Sequence, residues 1–135
     1  MKNVTLAFIL LVICGGTTAR SVQRFPAEYP ITSKRVKFLR GHTTAVIRGV
    51  ARTPGIYEYV LKARAGQTMT VHLTSSNNGV EFTIFGPNGD EPEGALGVDD
   101  WSGTLEASGD YKITLINNRS RISRKPSYTL EVNIR

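Results

Sequence analysis

Four cations, Arg119, Arg121, Arg124 and Lys125, stand within one short stretch of the chain, with no acidic residue among them. Guanidinium groups stay charged, present a planar fork of donors and pair bidentately with carboxylate or phosphate. Such a cluster is either a solvated loop tip that resists edge association or a binding tip aimed at an anionic surface. Asn118-Arg119-Ser120 is also an N-glycosylation sequon. It would matter only in a eukaryotic host, as part of a signalling or matrix module, and a glycan there would block the tip. The acidic counterpart is the segment from Asp90 to Asp100, where Asp90, Glu91, Glu93, Asp99 and Asp100 supply five of the eleven acidic residues. Carboxylates of this kind bind Ca²⁺ when correctly spaced. The Asp-x-Asp-x-Asp-Gly order is missing, so a solvated loop is the expectation and no metal or cofactor is predicted. The two histidines, His42 and His72, sit in no HExxH setting, and neither CxxC nor GxSxG occurs. His72 shares a polar strand face with Thr70 and Thr74, and His42 follows a glycine that suits a tight turn. The chain is expected not to be an enzyme.

The elements that must carry the arginine loop are strands. On its N-terminal side Tyr111, Ile113 and Leu115 alternate with Lys112 and Thr114. On its C-terminal side Tyr128, Leu130, Val132 and Ile134 alternate with Thr129, Glu131 and Asn133. Period-two alternation marks half-buried strands, and the two runs read as a hairpin with the cations at its tip. Upstream, Val36 and Phe38 start a short strand and Ala45 to Ala51 a second, turned by Thr53-Pro54-Gly55. Tyr57, Tyr59, Leu61 and Ala63 alternate next, then Met69, Val71 and Leu73. Asn78-Gly79 is a strong turn signal able to take positive φ. Val80, Phe82 and Ile84 follow, and Trp101 to Glu106 returns as a strand. Seven to eight short strands without helical periodicity predict an all-β chain, an antiparallel β-sandwich.

The N-terminus reads as an export signal over residues 1-19. Lys2 is its charged start, Val4 to Ile13 its apolar core, and Thr17-Thr18-Ala19 the small residues before a cut after Ala19. About ten apolar residues are too few to span a bilayer. Cys14 lacks the small preceding residue usual at a lipidation site. Cleavage would remove the only cysteine, leaving no disulfide to stabilise the domain in an oxidising compartment. Residues 20-33 read as a proline-broken flexible leader, and residues 34-135 as the β-sandwich. The chain carries 17 Lys and Arg against 11 Asp and Glu, a net charge of +6. A basic surface invites nucleic acid, anionic lipid or an acidic protein site. With no zinc spacing, RNP-like strand or basic helix, nucleic acid is not expected as a partner.

Arg40-Gly41-His42-Thr43-Thr44-Ala45, Phe85-Gly86-Pro87, Ala107-Ser108-Gly109 with Tyr111, and the ending Tyr128, Leu130, Val132, Ile134 resemble the periplasmic inhibitors of g-type lysozyme. The similarity runs from about Val36 to Arg135, without a gap between Gly41 and Gly66-Gln67. The Ser-Gly-x-Tyr strand and the closing strand also resemble the wider group of pre-peptidase C-terminal sandwiches. The Arg40 to Ala45 motif and the arginine loop select the inhibitors. The resemblance implies a non-catalytic protein of the periplasm whose loops enter the lysozyme groove, arginines meeting the catalytic carboxylates. Aligned through Ser108, Gly109 and Tyr111, Arg119 is the first loop arginine. The second position falls on Ser123, between Arg121 and Arg124, and the aromatic contact of the neighbouring loop falls on Pro54, with Tyr57 close by. The implied partner-binding set is therefore Arg119, Arg121, Arg124, Tyr57 and Pro54, with Ser108, Gly109 and Tyr111 of the strand motif. The competing expectation is an adhesion or carbohydrate-binding sandwich, with exposed Tyr57 or Trp101 stacking on sugar rings.

Overall fold

Eight strands and no helix occupy the residues that the structure, a computed structural model, describes, namely 29–119 and 121–135. The export signal, the cut after Ala19, Cys14 and the leader through residue 28 lie outside the described residues, as does Ser120. The strands are β1 Ile31–Arg35, β2 Thr44–Val50, β3 Ile56–Ala63, β4 Thr68–Ser75, β5 Val80–Phe85, β6 Asp100–Thr104, β7 Gly109–Asn117 and β8 Ser127–Ile134. They form two four-stranded sheets, ordered β1-β3-β7-β5 and β2-β8-β4-β6. All odd-numbered strands lie in one sheet and all even-numbered strands in the other, so every connection crosses from sheet to sheet. The expected all-β sandwich is what forms.

The strands other than β1 and β6 are rich in β-branched and aromatic residues that suit a half-buried pleated surface, and each inner strand turns alternate residues inward. From the odd sheet Leu61, Phe82, Ile84, Ile113 and Leu115 face Met69, Val71, Leu130 and Val132 of the even sheet, all fully buried. With no cysteine among the described residues, this shared apolar layer is the main source of stability.

Two expectations are corrected. The runs flanking the arginine loop are not a hairpin: β7 pairs with β3 and β5, while β8 pairs with β2 and β4. Alternation reports which face of a strand is buried, not which strand lies beside it. Tyr111, Ile113 and Leu115 are buried in one sheet and the inward residues of β8 in the other, rather than along one face. The loop between them therefore arches over one end of the sandwich. Asn78-Gly79, read as a turn, does turn the chain, joining β4 to β5 across the sheets; Asn78 takes φ 49° while Gly79 stays outside the positive-φ region. The first strand is Ile31–Arg35 rather than one starting at Val36. It runs parallel to β3, with Ile31 opposite Ile56 and Arg35 opposite Val60. Periodicity could not reveal it, because all five of its residues are exposed. Arg35 helps to tie it down with a two-pronged bond to Asp110 of β7, at 3.2 and 2.8 Å.

The long acidic segment has a structural use. Phe82 N–H donates to Val98 O at 2.8 Å, Val98 N–H returns to Phe82 O at 2.9 Å, and Ile84 N–H donates to Ala95 O at 3.0 Å. It thus covers the free edge of β5, which would otherwise invite association.

Candidate partner-binding site

Because each connection crosses the core, several loops gather at each end of the sandwich. At the arginine end they are the segments after β2, after β4 and after β7. Their anchor is Asn117, the last residue of β7, at an inward position where the period would put an apolar side chain. It is the buried polar residue of the core, 8% exposed, and burial requires that its amide be satisfied. Its Nδ2 donates to Thr53 Oγ1 at 3.1 Å and to Ser123 O at 2.8 Å. Its Oδ1 accepts from Asn77 Nδ2 and from Arg119 N–H, both at 3.1 Å. One side chain thus joins all three loops.

Backbone bonds extend the frame. Thr53 N–H donates to Arg124 O at 2.8 Å, Ala51 N–H to Pro126 O at 2.9 Å, and Asn118 N–H to Gly79 O at 2.8 Å. The N–H groups of Ile122 and Ser123 both reach Arg119 O, at 3.0 and 3.2 Å, closing a turn that starts at Arg119. The Asn118 amide donates to the Glu81 carboxylate. Arg119, Arg121, Arg124 and Lys125 are all exposed on this frame. Among the described residues the ion pairs are Arg35–Asp110 and His72–Asp100, neither of them in the loop.

The structure brings Pro54 and Tyr57 to the arginines. Pro54 is exposed and follows a cis peptide bond, and the Thr53 N–H before it is held by Arg124 O. Tyr57 is half-buried. Its ring leans on Tyr128, centroids 6.2 Å apart and tilted 54°, and its hydroxyl accepts the Arg52 N–H at 2.9 Å. The Tyr128 hydroxyl bonds to that of Tyr59, and burial lifts its pKa well above the ordinary phenol value. This tyrosine cluster is the floor beneath the loops. Sequence reasoning passed over Ile122, which is 70% exposed between Arg121 and Arg124; the available signal was an apolar residue in the middle of a charged loop.

Ser108, Gly109 and Tyr111 lie elsewhere. They sit toward the far end of β7, roughly 20 Å (Tyr111) to 30 Å (Ser108) from Asn117 at ~3.4 Å of rise per residue. Their contacts are internal. Ser108 Oγ accepts the Ala65 N–H at 2.9 Å, and the Tyr111 hydroxyl donates to Ala107 O at 2.7 Å. Gly109 takes φ 144°, and a side chain there would meet Pro87. Trp101 is at that end too, half-buried, with Nε1 donating to Glu93 O at 2.9 Å and its ring over Gly103. It flanks a groove of about 630 Å³ lined in part by Asp90, Glu91, Glu93 and Glu106. Among the described residues, no three His, Cys, Asp or Glu side chains gather to hold a metal ion.

No protein-family model matches the chain. The crystal structure of the periplasmic inhibitor of g-type lysozyme of Aeromonas hydrophila is similar, with a TM-score of 0.68 and 33% identity, covering 78% of this chain and 98% of that one. The inhibitor of g-type lysozyme of Escherichia coli K12 is 26% identical over 145 residues, spanning 100% of this chain and 98% of the relative. The pre-peptidase C-terminal domain of a Bacillus anthracis collagenase, 11% identical with a TM-score of 0.57, shares the fold alone. At 33% identity over 98% of the Aeromonas protein, this chain belongs to the family of periplasmic inhibitors of g-type lysozyme.

Proposed function

We propose that this chain is a non-enzymatic inhibitor of g-type lysozyme in the periplasm, and that it acts by presenting the 118–126 arch to the enzyme's carboxylate-bearing groove. The observation that carries the mechanism is an exposed arginine set, in no ion pair among the described residues, on a loop anchored through buried Asn117. Glycosidases cut with carboxylates that flank the scissile bond. A guanidinium in a groove closed to water meets them with two parallel charge-assisted bonds. Arg119 is the principal contact, supported by Arg121 or Arg124. Ile122 offers apolar area beside them, and Pro54 and Tyr57 form the adjoining rim. The sugar-binding alternative loses support here. Tyr57 is half-buried, tilted against Tyr128 with its hydroxyl engaged, and Trp101 is half-buried over Gly103 with its Nε1 bonded to Glu93 O.

The test is titration calorimetry and peptidoglycan lysis with g-type lysozyme, using c-type lysozyme as control. Arg119→Ala should weaken binding by about 2–4 kcal/mol, a hot-spot loss, with an unchanged melting temperature. Arg119→Lys should also weaken it, because an ammonium keeps the charge and loses the fork. Equal losses within about 0.5 kcal/mol for Arg119→Ala, Arg121→Ala and Arg124→Ala would leave only a solvated tip.

A further inference from the structure

We propose that Gly79 is a positioning residue for Arg119: the bare backbone of the β4–β5 turn is a seat on which the arginine stem lies before any partner arrives. The role in inhibition rests on the reading of Arg119 given above; the seat itself does not.

Gly79 is buried, and its backbone lies outside the positive-φ region that Asn78 adopts beside it. Conformation therefore does not demand a glycine here, whereas space does. A methyl group on Gly79 would overlap Cβ and Cγ of Arg119 and come within 2.8 Å of its Cδ. Three of the stem's carbons thus crowd the volume that any other residue would fill. The two backbones cannot easily separate to make room. Gly79 O accepts the Asn118 N–H at 2.8 Å, and Gly79 N–H donates to Asn77 Oδ1 at 2.9 Å. Asn77 Nδ2 and Arg119 N–H both bond to Asn117 Oδ1, closing the circuit. Arg119 Cβ moves only with its own backbone, so a methyl group would lift the stem and the start of the loop off the turn together.

Long side chains lose rotamer freedom when an interface immobilises them. A stem already seated loses less at that moment, so the seat favours binding while making no contact with the partner. Arg121 and Arg124 have no glycine of this kind beneath them, which marks Arg119 as the preorganised cation of the loop.

The experiment is a cycle of wild type, Gly79→Ala, Arg119→Ala and the double variant, made in the mature chain. In the free protein, ¹⁵N relaxation of the arginine Nε groups should find Arg119 more restricted than Arg121 and Arg124 in wild type, and no more restricted than they are in Gly79→Ala. Inhibition of g-type lysozyme should weaken about two- to twelvefold in Gly79→Ala, the range for losing one preordered side chain, with a smaller loss when the change is added to Arg119→Ala. If Gly79→Ala also lowers the melting temperature, the loss should shrink in the Arg119→Ala background, which removes the overlap with Cγ and Cδ, and shrink further in Arg119→Gly, which removes Cβ as well. An equally mobile Arg119 in wild type, an equal loss of inhibition in the Arg119→Ala background, or a loss of melting temperature as large in the Arg119→Ala and Arg119→Gly backgrounds as in wild type would each overturn the seat. A wild type that does not inhibit refutes the proposed function instead, and relaxation with the stability cycle then decides the seat alone.

Discussion

Replacing Asn117 with alanine removes the side chain that joins three loops, and the expected loss follows from its bonds. Asn117 donates twice, to Thr53 Oγ1 and Ser123 O, and accepts twice, from Asn77 Nδ2 and Arg119 N–H. An intramolecular hydrogen bond contributes about 1 kcal/mol net, so four give an upper figure of ~4 kcal/mol. Arg119 is exposed and Thr53, Asn77 and Ser123 are half-buried, so water can recover part of this. The expected loss is about 2–3 kcal/mol. For a domain of about 100 residues that lowers the melting temperature by roughly 8–20 °C. Urea unfolding and calorimetry measure it directly. Asn117→Asp separates geometry from volume. A carboxylate keeps the acceptor sites but turns an oxygen toward Ser123 O, so it should be worse than alanine near neutral pH. It should recover in acid, when protonation restores a donor. A loss within about 0.5 kcal/mol for Asn117→Ala would place it among ordinary surface changes, and the anchoring role would have to be abandoned.

Tyr111 is 3% exposed with its hydroxyl on Ala107 O, so Tyr111→Ala should cost about 3–5 kcal/mol and Tyr111→Phe about 1 kcal/mol. Neither should alter inhibition by the folded fraction; a Tyr111→Phe variant of normal stability and poor inhibition would put the Ser-Gly-x-Tyr motif in the interface. His72 bonds to Asp100, chiefly through which its pKa is raised above 6.5, with Glu131 and Asp99 adding attraction. Its pair should therefore stabilise the fold fully below that value and fade as pH rises through the raised one. Both side chains are more than half exposed, which limits the gain to about 1 kcal/mol. A stability gap between wild type and His72→Gln that stays constant across this range would contradict the assignment.

Much of the fold was legible because burial leaves a local trace. The inward sets of β3, β4, β5, β7 and β8 could be read from alternation alone, since a strand between core and solvent must be apolar at every second residue. The exposed parallel strand β1 carries no such trace and was missed. Asn117 went unnoticed for a related reason. It occupies an inward position after Ile113 and Leu115, and a polar residue there signals a buried hydrogen-bonding role only once the strand's end is known. Gly79 was read as a turn former, although what it supplies is room.

The sequence by itself determined the strand content, the inward faces, the basic loop and the family motifs, because each is written in the types and spacing of neighbouring residues. Tertiary structure alone decided that β7 and β8 lie in opposite sheets, so that their loop is an arch and not a hairpin tip. It alone set Pro54 and Tyr57 at the arginine end while holding Ser108, Gly109 and Tyr111 roughly 20–30 Å from Asn117 at ~3.4 Å per residue. The physical reason is that strand pairing and loop convergence are contacts between distant residues. They are selected by how two apolar faces close over one core, and no local pattern records which partner each face will meet.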